Sequence, residues 1–165
     1  MEQPASGGDW YHAVYMSYAA FAGKGTTMQQ PIMTDERFLS RPSEPATEAD
    51  LSVAADLSDT LAAHADSCVG MAANMIGVSK RIIVFADEAT GRNMVMFNPR
   101  IVERSGEYET EEGCLSLTGM RKTVRYERIT VAYRTRRFRE ATAVFEGFTA
   151  QIIQHEIDHC DGILI

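Results

Sequence analysis

Residues 148–162 read FTAQIIQHEIDHCDG. At about 100° per residue, with Phe148 set to zero, Ile152 falls at about 40°, His155 at about −20° and His159 at about 20°. Both imidazoles therefore share a helix face with two apolar side chains and point inward. Ile153, Ile157 and Cys160 make a second apolar strip, so the helix is covered nearly all round and runs through the middle of its domain. Gly162 is placed to end it. Two histidines four apart, with Glu156 after the first, match HExxH, a pattern in which a pair of imidazoles on one helix face holds a metal ion. Left without partners, two buried imidazoles would cost on the order of a few kcal/mol, and a shared divalent ion satisfies both. Glu156 lies about 100° round from His155, beside such an ion, where a carboxylate serves as acid and base.

Outward from this helix the chain changes character. Residues 81–86 (RIIVFA), 94–103 with a bend at Asn98-Pro99, 124–134 alternating through Tyr126, Ile129, Val131 and Tyr133, and the brief 142–145 read as strands. Residues 47–67 place Leu51, Ala54, Ala55, Leu57, Leu61, Ala62 and Ala65 at helical spacing. Thr47 is suited to cap that helix, with Glu48 and Asp50 in its first turn, where acids favour the helix dipole. Helix, several strands, then helix, with no repeats and no βαβ rhythm, predicts an α+β domain whose β-sheets pack around the C-terminal helix. Residues 1–27 mix Gly, Ser, Gln and aromatics without a sustained period and read as a leader or extension outside the core. Residues 28–165 are then a single domain.

Bulk composition agrees with one soluble domain: 165 residues, 45% hydrophobic and 24% charged, leave enough apolar side chain for one real core. A formal charge of −7 and a pI near 5.1 give no basic footprint for DNA, although the patch Arg134-Thr135-Arg136-Arg137 is able to meet an acidic partner. Cys68, Cys114 and Cys160 are odd in number and lack CxxC spacing, which suits free or metal-bound thiols in a reducing, cytoplasmic setting. The apolar-leaning residues 10–22 contain His12 and follow Glu2 and Asp9 rather than a basic stretch, so they read as neither signal peptide nor membrane span.

Two histidines do not hold a catalytic metal, so a third ligand is needed. Cys160 is nearest in sequence but sits about 120° from the histidine face, in the opposite packing strip, and reads as a small buried hydrophobe. His64 lies on the first helix near Asp66, and His12 lies in the leader. Cys68 follows the first helix in a glycine-containing stretch and stays open as a ligand. Cys114, in Glu111-Glu112-Gly113-Cys114-Leu115-Ser116-Leu117, has a glycine that frees the backbone beside it, and a thiolate there completes a His2Cys site with one open position. Spacing alone favours Cys114 over Cys68 only modestly.

EGCLS at 112–116, QHEIDH at 154–159 with the trailing Asp161-Gly162, and VGMAA at 69–73 followed by Ile76-Gly77-Val78 resemble, in order, the three signature motifs of the peptide deformylase family. The likeness runs from about Pro31 to Ile165. It implies that Cys114, His155 and His159 bind one divalent metal ion, natively iron(II), with zinc, nickel or cobalt also suited to such a ligand set. It makes Glu156 the catalytic acid and base and gives the backbone N–H of Leu115 a share in stabilising negative charge. The implied reaction is hydrolysis of the N-formyl group from the initiator methionine of new polypeptides, with release of formate. Val69, Gly70, Met71, Met75, Gly113 and Gln151 become the substrate-binding residues, the backbone near Gly70 taking the peptide as an added strand. Implied partners are an N-formylmethionyl peptide or nascent chain and, with it, the ribosome; no DNA and no membrane are implied, and the expected state is a monomer.

The motif is not intact. Where the family carries a glutamine whose amide donates to the formyl oxygen, this chain has Met75, and a thioether has no donor. Asn74, one residue earlier, is a substitute donor if the loop turns differently. Gln151 replaces an apolar wall for the methionine side chain, and Cys68 replaces a glycine near the same pocket. Glu112 is a candidate to support a metal ligand, paired with an arginine from 121–128, and Asp158 either bonds a neighbouring element or faces water. The alternatives are a deformylase-like protein with weak or altered activity on another acyl amide, and a non-catalytic peptide-binding relative. An unrelated HExxH metallopeptidase would draw its third ligand from a downstream histidine or glutamate, and only six residues follow His159. A structural domain with a metal staple would tolerate loss of Glu156.

Overall fold

The computed structural model describes residues 28–165, so the expected leader 1–27, with His12, lies outside the described residues. Among the described residues, three α-helices, α1 (Glu36–Leu39), α2 (Leu51–Ala63) and α3 (Gly147–Cys160), accompany five strands: β1 (Gly70–Ala72), β2 (Ile82–Asp87), β3 (Arg92–Cys114), β4 (Leu117–Arg134) and β5 (Glu140–Glu146). The architecture is α+β, as expected. The described strands form one antiparallel sheet in the order β1-β2-β3-β4-β5, rather than several sheets.

Strand β2 shows why residues 82–87 are apolar without interruption. Successive side chains of a strand point to opposite faces. Ile82 and Val84 pack with Leu57 and Leu61 of α2, while Ile83 and Phe85 pack with Ile152 and Ile153 of α3. Helices cover both faces of this strand, so neither face is polar. The Thr47 cap is present: its backbone N–H donates to Asp50 Oδ2 at 2.7 Å, and a short 3₁₀ turn, Glu48–Asp50, leads into α2. That helix stops at Ala63, short of the expected 67, where His64 Nδ1–H turns back to the Thr60 carbonyl at 2.9 Å.

Strands β3 and β4 run much further than their hydrophobic alternation suggests. The Asn98-Pro99 bend does not end β3; it is a register shift between Phe97 and Arg100, with Asn98 in the left-handed region at φ 52°. The Asn98 side chain holds this bend by pairing with the backbone N–H and carbonyl of Ala46 at 2.7 and 2.9 Å. Beyond it, β3 and β4 continue as a hairpin whose tip is the EGCLSL segment, so the hairpin delivers Cys114 to the end of α3.

Helix α3 packs against β1, β2, β4 and β5 and is buried on most sides, as the angular count predicts. Gln154 fastens it to β4. Strand β5 pairs with β4 only as far as Arg128, leaving the β4 edge open beyond that point. There Gln154 Nε2 donates to the Tyr126 carbonyl and Gln154 Oε1 accepts from the Tyr126 N–H, both at 2.9 Å, an amide standing in for a peptide group. At the other end Gly162 adopts φ 75°, and a methyl group there would lie 2.6 Å from the Ser40 carbonyl oxygen. Only glycine permits both the turn and the approach.

Candidate metal centre

The hairpin tip and α3 bring Cys114, His155 and His159 together. Cys114 Sγ is 3.2 Å from His159 Nε2, the two Nε2 atoms are 3.2 Å apart, and all three candidate ligand atoms lie within 4.8 Å of one another. His159 is fully buried, while His155 and Cys114 are partly exposed. Cys68, the other open candidate, does not join this group; its thiol donates to the Gly70 carbonyl at 2.8 Å, and burial pushes it up to about 12. Cys160 is buried in the core with Ile153 and Ile157, as its angle predicts.

A carboxylate stands behind one imidazole. His155 Nδ1–H donates to Glu112 Oε2 at 2.8 Å, which leaves Nε2 with its lone pair toward the cluster. Glu112 is only 7% exposed and is gripped by Arg125, whose Nε and Nη2 donate to its two oxygens at 2.8 and 2.7 Å. Asp158 accepts from Arg125 Nη1 at 2.6 Å, so it bonds a neighbouring strand and balances the buried cation. Burial alone would raise the Glu112 carboxyl, but hydrogen bonds from Arg125 and His155 outweigh it and bring it down to about 2. Without an ion, burial disfavours an imidazolium at His155, yet Cys114, Glu112 and Glu156 push it up to about 10; burial and the charge of His155 take His159 down to about 3. One sulfur and two imidazole nitrogens, backed by a carboxylate, fit a divalent transition metal with an open coordination position.

Glu156 lies beside this cluster, 3% exposed, with Oε2 unpaired to any described protein group. Burial raises its carboxyl to about 7. Gly70 is what admits it: a Cβ there would fall 2.6 Å from Ile152 Cγ2 and 2.7 Å from Glu156 Oε1.

A cavity of about 280 Å³ opens against these groups and is lined in part by Cys68, Met75, Leu115, Phe148 and Ile152. Val69, Gly70, Gly113 and Gln151 also line it, so of the six residues expected to meet substrate only Met71 is away from the wall. Its side chain is wholly buried in the α2-side core, which leaves it only its backbone on β1. Among the described strands β1 pairs with β2 alone and is an outer strand of the sheet. Asn74 is a correction. Its amide does not reach the cavity but donates to the His159 carbonyl at 2.8 Å, and it is 1% exposed. The Gln154 clasp on Tyr126 has one signal in the sequence, a polar residue among buried apolar neighbours on α3.

The polypeptide deformylase family profile matches residues 29–165. A peptide deformylase of Clostridium beijerinckii is 55% identical over 140 residues, covering 84% of this chain and all of that one. The actinonin-bound crystal structure of a class I type b peptide deformylase from Acinetobacter baumannii superposes with a TM-score of 0.73 at 33% identity, over 83% of this chain and 95% of that one. The crystal structure of peptide deformylase from Thermus thermophilus gives a TM-score of 0.72 at 37% identity, over 82% of each chain. Cys114, His155 and Glu156 line the cavity with His159 buried behind them, and the chain belongs to the peptide deformylase family.

Proposed function

We infer that this protein hydrolyses the N-formyl group from the N-terminal methionine of newly made polypeptides, releasing formate. The observation that carries this reading is the convergence of Cys114 Sγ with the Nε2 atoms of His155 and His159 beside a buried glutamate. These three residues would hold one divalent ion, for which we propose iron(II), a metal suited to a thiolate and two imidazoles. When bound, such an ion supplies a Lewis acid that polarises the formyl carbonyl and acidifies water.

The chain's own residues do the rest. Glu156, with a free oxygen and little solvent, accepts the proton of the attacking water and returns it to the departing amine. The backbone N–H of Leu115, at the cavity wall, donates to the oxygen on which negative charge develops. The outer edge of β1 around Gly70 takes the peptide as an extra strand, with Val69 and the backbone of Met71 in that pairing. Met75, Gly113 and Gln151 border the first side chain of the substrate. Residues 28–165 act as one domain. The substrate is a nascent chain at the ribosome, in the cytoplasm; no helix among the described residues is long and apolar enough to cross a membrane.

The test is anaerobic purification with metal analysis, since thiolate-bound iron(II) oxidises readily, followed by formate release from a formyl-methionyl peptide. The parent releases formate, and Glu156→Gln keeps its metal while losing about 10²- to 10⁴-fold in rate. A metal-loaded parent that releases no formate overturns the reading.

A further inference from the structure

Gln151 sits on α3 one turn before His155, half-buried in the cavity wall. Its amide is not free to serve as wall alone. Nε2 donates to Glu112 Oε1 at 3.0 Å, and Oε1 accepts from the Tyr108 hydroxyl at 3.3 Å. Glu112 thereby receives four hydrogen bonds: Arg125 Nε and Gln151 Nε2 on Oε1, Arg125 Nη2 and His155 Nδ1 on Oε2. A carboxylate has about four lone-pair sites, so this set is complete. Arg125 approaches from β4 and is buried, whereas Gln151 and His155 also line the cavity.

We propose that Gln151 is a positioning residue for the metal centre: by closing the donor set on Glu112 it fixes the carboxylate that orients His155, so the wall meeting the substrate's first side chain also sets a metal ligand. Tyr108 extends the chain by one link and holds the Gln151 amide in the rotamer that serves Glu112. Removing the amide opens Glu112 Oε1 to cavity water and loosens the carboxylate's hold on His155. Groups that orient a metal ligand from behind are typically worth about 10- to 100-fold in metal affinity or activity. The inference rests on the metal-centre reading given above.

The experiment uses cobalt(II) as the probe, with Gln151→Met, close to glutamine in shape and lacking the donor, and Tyr108→Phe. Cobalt affinity is measured by chelator competition, its visible absorption is recorded, and kcat and KM for a formyl-methionyl peptide are determined separately. Gln151→Met is expected to bind cobalt about tenfold more weakly, to shift the absorption band and to lower kcat more than it changes KM. Tyr108→Phe shifts the band the same way by less, and adds nothing in the Gln151→Met background. A change in KM with cobalt affinity and spectrum at parental values, in both variants, makes Gln151 a wall residue only and overturns the proposal. If Gln151→Met fails to fold, Tyr108→Phe decides: a parental spectrum and affinity overturn the proposal, and a shifted band supports it. A parent that binds cobalt but releases no formate overturns the assigned reaction while the cobalt comparison still decides this inference; a parent that holds no cobalt overturns both.

Discussion

The side-chain amide of Asn74 donates to the main-chain carbonyl of His159 at 2.8 Å, tying the 3₁₀ turn after β1 to the last turn of the HExxH helix. This bond makes Asn74 a structural tether. Asn74→Ala is expected to lower the unfolding free energy by about 1–3 kcal/mol, the usual consequence of stripping a partner from a buried polar group. Formate release per bound ion stays nearly unchanged. Urea unfolding and turnover on the same preparation check both halves; a fall of about 10²-fold in kcat at unchanged stability would mean that the amide serves the formyl oxygen after all.

Met75 lines the cavity, and its thioether offers no hydrogen-bond donor. Met75→Gln is expected to raise kcat by about 10²-fold, the scale of one donor to a developing oxyanion. The same change places an amide in the core beside α2 and costs about 1–3 kcal/mol of stability. Steady-state kinetics with equal metal content decide it, and an unmoved kcat would show that the transition state is already fully served by other donors.

Glu112 and Arg125 form a buried ion pair whose value depends on pH. The Glu112 carboxyl lies near 2 in the folded protein against an ordinary 4.5. A group depressed in this way stabilises the fold above its unfolded value and loses that contribution as pH falls toward the folded one. Metal-free parent protein should therefore lose more stability than Glu112→Gln between pH 4.5 and about 2. Arg125→Met takes the buried counter-cation from Glu112 and the bonding partner from Asp158, and is expected to cost about 3–5 kcal/mol at neutral pH. Urea unfolding of chelator-treated protein, across this range and at neutral pH, measures both.

The two helices and the strands with a clear apolar period are readable from residues alone, because burial on a fixed face leaves a periodic trace. Residues 81–86 are legible as a strand from a short uninterrupted run of β-branched and aromatic side chains instead, and His155, His159 and the inert Cys160 follow from one angular count. The outer half of the β3–β4 hairpin is not legible. Beyond the expected strand 94–103, Arg104, Ser105, Gly106 and Glu107 are all exposed, so no alternation marks them as strand. Spacing favours Cys114 only modestly and the resemblance singles it out, since the hairpin that carries it to α3 is a long-range pairing that spacing does not encode. The Gln154–Tyr126 clasp and the Gln151–Glu112 bond depend on where one strand stops beside a helix, and no local pattern records that.

Gly70 is the point where β1 touches the helix without a side chain between them. A methyl there would overlap Ile152 Cγ2 at 2.6 Å and Glu156 Oε1 at 2.7 Å, closer than either atom allows. Neither neighbour has an easy retreat, because Ile152 belongs to the α3-side core and Glu156 is buried. Gly70→Ala should therefore push β1 from α3 and displace the Glu156 carboxylate, at a cost of about 1–3 kcal/mol in stability. Misplacement of a reacting group by about 1 Å is worth on the order of 10² in rate, so formate release should fall by that scale while Cys114, His155 and His159 keep their ion. Metal analysis, thermal unfolding and turnover of the one variant separate these effects. A Gly70→Ala protein with parental rate and stability would mean that β1 and the helix have slack at this contact, and that the edge around Gly70 does not set the position of Glu156.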